Sequence, residues 1–159
     1  MEKLINILKE ELELYKTILE VSNNKTALLK DNKASELEAT TREEESLVAS
    51  VIEKEKIRIQ EVKNICKRYG KPEKSLKIEE LCEFIDNSKE ELMNLKSEIL
   101  KILEELKNVN KINSVLINSS LDYINFTVNM LTETSKKPTY EARGQQSSQA
   151  QRNLFDIKL

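Results

Sequence analysis

The sequence contains no histidine and no tryptophan, and it has only two glycines and two prolines among 159 residues. Folds with many strands need many turns, and turns use glycine and proline, so this composition favours an all-α protein. The absence of histidine excludes imidazole metal sites and the nucleophile pairs that depend on histidine. The carboxylates alternate with lysines along solvated helix faces, and we therefore predict neither an enzyme nor a cofactor or metal site.

The sequence also lacks any concentration of one charge and any long apolar run. Its 26 basic and 28 acidic residues are interspersed, so the basic stripe of a nucleic-acid-binding protein is missing. No run approaches the roughly 18 to 20 apolar residues that span a bilayer, so no integral membrane segment is predicted. The N-terminus, MEKLINILKEELELY, has acids within its apolar stretch, unlike a signal peptide. We expect a cytoplasmic protein in which Cys66 and Cys82 are reduced, a disulfide between them being the alternative.

Apolar residues recur in alternating steps of three and four, which predicts three long amphipathic helices. Asp31 or Asn32 is predicted to cap the second helix, Gly70 to end it, and a short helix to follow from about Leu76 to Ile85. The predicted seams are Ile5, Leu8, Leu12, Tyr15 and Leu19 in the first helix; Val48, Ile52, Ile59, Val62, Cys66 and Tyr69 in the second; and Leu92, Leu95, Ile99, Ile102, Leu106, Val109, Asn113, Leu116, Ser120, Tyr123, Thr127 and Met130 in the last.

The last helix is predicted to begin after Asn87 or Ser88 and to reach Ser135, with a break near residues 110–113 left open. Unbroken, it would be about 70 Å long and would outrun the second helix. The predicted fold is all-α: an elongated antiparallel bundle of three long helices plus a short one. The bundle domain covers residues 1–137, and a polar, flexible C-terminal tail covers 138–159.

The stretch 113–132, NSVLINSSLDYINFTVNMLT, differs in character from the rest of its helix, because its only charge is Asp122. A second apolar stripe runs beside the seam there, so the helix must be covered on more than one side. Either the first two helices cover it, or part of it receives an amphipathic helix of another protein, which the length mismatch favours. The candidate partner-binding residues of this stretch are Val115, Leu116, Ile117, Leu121, Tyr123, Ile124, Phe126, Val128 and Leu131.

The tail is polar until its last six residues, LFDIKL, where Leu154, Phe155 and Ile157 join the candidate partner-binding residues. Residues 138–153 would span about 20 to 25 Å as a random coil, which is enough to reach back to 113–131. The terminal motif is therefore expected to pack on that face in the absence of a partner, shielding it. Two alternatives remain: the motif clamps a bound partner, or it contributes nothing.

These segments resemble a known family. NKINSVLINSSLDYINFTVNML, followed by a polar tail ending in NLFDIKL, is similar to the FlgN family of flagellar type III export chaperones, as are LLKDNKASEL and EKEKIR in the first half. The resemblance implies a cytosolic, non-catalytic chaperone that binds the C-terminal helical segment of hook–filament junction proteins of FlgK/FlgL type. It also implies delivery of this cargo to an export gate protein, and it places substrate binding in the C-terminal part of the chain.

Three questions stay open at this stage. Tyr123 suits either a contact with the export gate or a core position. The runner-up function is a structural coiled-coil adaptor that homodimerises through its long helices, for which the three-four spacing is the support. A secretion chaperone for a different flagellar cargo would share the fold and the mechanism.

Overall fold

The computed structural model describes residues 1–72, 77–85 and 88–134, and in these ranges the chain is helical, without a strand. Its helices are α1 (Glu2–Lys30), α2 (Ala34–Arg68), α3 (Ile78–Cys82) and α4 (Lys89–Thr134). The prediction of an all-α helical bundle is confirmed. The predicted domain boundary after residue 137 and the predicted tail lie outside the described residues.

The chain divides into two compact units, Met1–Tyr123 and Ile124–Leu159. The first unit contains α1, α2, α3 and most of α4, and it holds both apolar clusters of the bundle. The described part of the second unit is the end of α4. Helix α4 is continuous from Lys89 to Thr134, so the break left open near residues 110–113 does not occur.

Two left-handed residues close the first two helices. The Asn32 N–H donates to the Leu29 carbonyl and the Lys33 N–H to that of Leu28, while Asn32 has φ 54°. Asparagine is one of the few side chains that tolerate this conformation. The prediction that Asp31 or Asn32 caps α2 is therefore wrong, because both residues end α1 and the residue before α2 is Lys33.

Gly70 closes α2 by the same hydrogen-bond pattern. Its φ is 63°, and the Lys71 N–H donates to the Cys66 carbonyl at 2.9 Å. The predicted stop at Gly70 is confirmed. The predicted short helix also forms, although it covers only Ile78–Cys82, and the Lys77 N–H donates to the Glu80 carboxylate at its start. Leu76, the predicted first residue, lies outside the described residues.

Two apolar clusters show how the helices of the first unit run. The larger joins the start of α1, the end of α2, α3 and the start of α4, and the smaller joins Ile18, Val51 and Leu106 midway along the three long helices. Helix α2 therefore runs antiparallel to α1 and α4, which are parallel to each other. At equal rise per residue, α1 ends about level with Asn118 and α2 begins about level with Tyr123.

The seams predicted for α1 and for the first part of α4 are confirmed. Ile5, Leu8 and Leu12 are buried, as are Leu92, Leu95 and Leu106 of α4. The remaining seam positions up to Ser120 are buried or half-buried. Beyond it the prediction of a core seam is wrong for Tyr123 and Met130, which are exposed, so Tyr123 is not a core tyrosine.

The seam predicted for α2 is wrong over half of its length. Val48, Ile52 and Tyr69 are 43%, 48% and 49% exposed, and the residues that face the core midway are Leu47 and Val51, one position earlier. Val62 and Cys66 are buried as predicted.

The α2 seam was misread because it contains a charged residue. Arg58 lies on the core-facing side and donates to the carboxylate of Glu11, which is buried in α1, at 3.0 Å. Burial raises the pKa of Glu11 more than the attraction of Arg58 lowers it. The neighbouring stripe, interrupted only by Glu55, has the longer run of apolar residues, and the apolar spacing therefore indicated that stripe.

Candidate partner-binding surface

A layer of buried polar side chains lies where the charge-poor stretch of α4 begins. Asn113 is buried; its side-chain amide donates to the Ser22 carbonyl at 3.0 Å and its side-chain oxygen accepts from the Thr26 hydroxyl at 2.6 Å. The polar residues Ser22 and Thr26 interrupt the apolar stripe of α1, and Asn113 interrupts the seam of α4 at the same level. These bonds fix the register of α4 against α1 just before the candidate surface.

Helix α2 joins this layer through a carboxylate. Glu44 accepts from the Ser22 hydroxyl and from the Lys25 ammonium, each at 2.7 Å. Burial, the largest single effect, raises the pKa of Glu44, but these two hydrogen bonds and the charge of Lys25 together outweigh it and hold the pKa below its usual value. The layer thus ties all three long helices of the first unit together.

Beyond this layer, the apolar side chains of the first unit on α4 are largely uncovered. Val115 and Leu121 are exposed, and Tyr123 is 71% exposed. Leu116 and Ile117 are half-buried. The interpretation that the first two helices bury this stretch is therefore wrong for the exposed residues.

The described end of α4 in the second unit shows the same character. Ile124, Phe126, Val128 and Leu131 are exposed, with Ile124 at 54% and Phe126 at 61%. Asparagine and threonine alternate with these residues, and no charged residue occurs between Ile124 and Thr132. Apolar side chains uncovered at this density on one helix are typical of an interaction surface.

The structure adds two residues that sequence analysis did not include among the partner-binding candidates. Ile112 and Met130 are exposed on the same helix. Met130 was missed because the sequence pattern assigned it to the core seam. Ile112 could have been found from the sequence, because it stands one residue before Asn113, where the charge-poor stretch begins. The remaining candidates, Leu154, Phe155 and Ile157, lie outside the described residues.

The two cysteines contribute to packing. Cys66 and Cys82 are free and buried in the larger apolar cluster, and burial raises the pKa of the Cys82 thiol. Across the described ranges, no group of three or more carboxylate or thiolate side chains is arranged to hold a metal ion. None of the described helices is long and apolar enough to cross a membrane.

The fold and the surface define the class: an α-helical bundle protein whose longest helix leaves a broad, charge-poor apolar surface uncovered. The family model described as FlgN protein matches residues 1–148. The chain belongs to the FlgN family, the flagellar export chaperones of type III secretion. Neither a curated protein nor a solved structure matches the chain. The recognised resemblance is confirmed, and it is a resemblance to a family of chaperones rather than enzymes.

Proposed function

We propose that this chain is a cytoplasmic chaperone for hook–filament junction proteins of FlgK/FlgL type. It binds their C-terminal helical segment, prevents premature assembly and delivers them to the export gate. The observation that carries the proposal is the uncovered apolar surface of α4, from Val115 to Leu131, in a member of an export-chaperone family.

The chemistry of this surface suits an amphipathic cargo helix. Asn, Ser and Thr between the apolar residues cost less to desolvate than charged side chains, and they can still form hydrogen bonds at the edge of an interface. Burial contributes about 25 cal/mol per Å² of apolar area, so covering these side chains is compatible with micromolar to nanomolar affinity after the ordering costs. Helix-to-helix burial is thus the binding mechanism.

The test is a calorimetric titration of the full chain with a fragment covering the C-terminal helices of a FlgK-type junction protein. We expect saturable 1:1 binding, and we expect Ile124→Asp to abolish it, because a carboxylate would be desolvated at the centre of the contact. Ile57→Asp is the matched control, since Ile57 is an isoleucine of α2 that is 44% exposed. Binding that survives Ile124→Asp, or that both variants lose equally, would contradict the assignment of the surface.

The same titration separates the alternatives. Binding of a filament-cap or filament-protein fragment, but not of the junction-protein fragment, would indicate a chaperone for a different flagellar cargo. A stable dimer that binds none of these fragments would indicate the structural coiled-coil adaptor. The exposure of Tyr123 is compatible with the export-gate contact, for which Tyr123→Ser should weaken binding of the gate protein to the cargo-free chain.

The terminal motif is assigned to the same surface. We propose that Leu154, Phe155 and Ile157 pack on the α4 surface when cargo is absent and are displaced when it binds. The support is their apolar character at the end of a polar segment whose predicted span reaches that surface.

A further inference from the structure

A second apolar surface lies between α2 and α4, on the side turned away from α1. Helix α2 faces α1 with Lys54 and Glu61, which form ion pairs with Glu10 and Lys3. Val48 and Ile52 each come one residue after a core residue, Leu47 or Val51, which places them on the flank of α2 that faces away from α1.

Helix α4 repeats this arrangement. Its flank towards α1 carries Glu91, which pairs with Lys9 at 2.8 Å. Leu100 and Leu103 lie on the other flank, each one residue after a half-buried isoleucine of the seam. Because Val51 and Leu106 meet in one cluster, Ile52 and Leu103 are about level with each other, and the four apolar residues border one groove.

Helix α3 already occupies one end of this groove. Lys96, on the same flank of α4 as Leu100, forms an ion pair with Glu79 of α3. Leu81 and Cys82 of α3 pack against the end of α2 and the start of α4. The groove therefore binds a helix of this chain along its first part, and its apolar lining continues past the start of α3, where Leu100 and Ile52 are 53% and 48% exposed.

Charged residues flank the uncovered part, and most of them already have partners in this chain: Glu55 pairs with Arg58, Lys96 with Glu79 and Lys107 with Glu104. On α2 the spacing of three, four and three places Glu45 and Glu55 on either side of Val48 and Ile52. On α4 the spacing of four, three and four places Lys96 and Lys107 on either side of Leu100 and Leu103. Because these charges are paired within the chain, recognition rests on the apolar residues, and a fitting helix has an apolar stripe with polar residues along its edges.

We propose that this groove is a second helix-binding surface of the chaperone and that its occupant is another amphipathic helix of the same cargo. This inference rests on the proposed function. One flank of α4 carries Leu100 and Leu103 and, after the polar residues Lys107, Asn110 and Ser114, also Ile117 and Leu121. A cargo bound at Ile117 and Leu121 is therefore directed along the groove. Four partly exposed side chains are too few for the roughly 800 Å² per partner of a stable dimer, which disfavours a second copy of this chain.

The experiment compares Ile52→Gln and Leu103→Gln with Ile57→Gln in the full chain. Ile57 is the matched control because it is exposed to a similar degree as Ile52 but lies next to Arg58 on the flank of α2 nearer α1. The probe is the FlgK-type C-terminal fragment, titrated by calorimetry in its complete form and as a single helix. For the complete fragment we expect the Kd to rise about tenfold in both groove variants, and the Kd of the Ile57→Gln variant to stay within about twofold of the unchanged chain. The single helix should bind all variants alike.

The outcomes are distinguishable from a failure of the proposed function. If Ile52→Gln and Leu103→Gln bind the complete fragment as Ile57→Gln does, while Ile124→Asp still abolishes binding, the groove proposal is overturned and the chaperone function stands. If the groove variants instead dissociate a dimer in sedimentation experiments, the groove is an interface between copies, which also overturns the proposal. Thermal melting by circular dichroism checks that each variant is folded.

Discussion

Asn113 is the residue on which the register of α4 depends most directly. It occupies a seam position that an apolar residue would otherwise fill, and it is buried with its side-chain amide and oxygen both hydrogen-bonded to α1. A buried amide of this kind costs stability unless it is paired, so it penalises any arrangement in which α4 slides along α1. The candidate surface begins immediately after it.

Asn113→Ala should lower the free energy of unfolding by about 1–3 kcal/mol, because the variant loses one buried and one partly buried hydrogen bond and leaves a small cavity. Urea unfolding followed by far-UV circular dichroism measures this loss. Asn110→Ala is the control: Asn110 is exposed on the same helix, and its replacement should change the unfolding free energy by no more than about 0.5 kcal/mol. Equal effects of the two substitutions would show that the polar layer does not stabilise the bundle.

Glu44 gives the same layer a pH dependence. Its pKa in the folded state lies below that of an unperturbed glutamate, so its contribution to stability is present above the pKa of the unfolded chain and is lost as the pH falls through the folded pKa. Glu44→Gln should therefore cost about 1–3 kcal/mol near neutral pH and progressively less below about pH 4.5. Urea unfolding from acidic to neutral pH tests this, with the exposed neighbour Glu43→Gln as control. A deficit that stayed constant down to the acid limit would contradict the assigned pKa direction.

At the scale of single elements, the sequence was informative wherever one kind of residue dominated. Gly70 indicated the end of α2 correctly. The apolar spacing of α1 and of the first part of α4 correctly indicated the faces of these helices that are buried in the core. In α2 the core-facing stripe contains Arg58, whose pairing with a buried Glu11 cannot be inferred without the partner helix. The prediction therefore chose the flank of Val48 and Ile52, which instead borders the groove between α2 and α4.

The candidate surface was predictable from the sequence for a different reason. Residues 113–132 lose their charges while keeping apolar side chains on two stripes, and this signal is independent of any partner helix. The sequence could not show whether these stripes are buried or exposed. That depends on the register of α4 against the other helices, which places the end of α1 about level with Asn118 and the start of α2 about level with Tyr123. That register is set by contacts such as those of Asn113, which lie far apart in the sequence.

At the scale of the whole molecule, the family assignment and the uncovered α4 surface require the chain to be stable before cargo arrives. Exposed apolar side chains at this density favour aggregation unless something covers them. A segment tethered to the same chain can do so even with weak intrinsic affinity, because its effective concentration near the surface is of the order of millimolar. The proposed packing of the terminal motif would meet this need and would be displaced by a cargo that binds more tightly.

Removing the tail should therefore strengthen cargo binding. A version ending at Ser135 is expected to bind the FlgK-type fragment about two- to tenfold more tightly than the full chain in calorimetry, because cargo no longer competes with the terminal motif. A full-length variant in which Leu154, Phe155 and Ile157 are replaced by serine keeps the tether and should show the same gain. Weaker binding after truncation would instead make the motif a clamp on bound cargo. Equal binding by all three proteins would mean that the motif does not bind the surface. The solubility of a chain with so many exposed apolar side chains on α4 would then need another explanation.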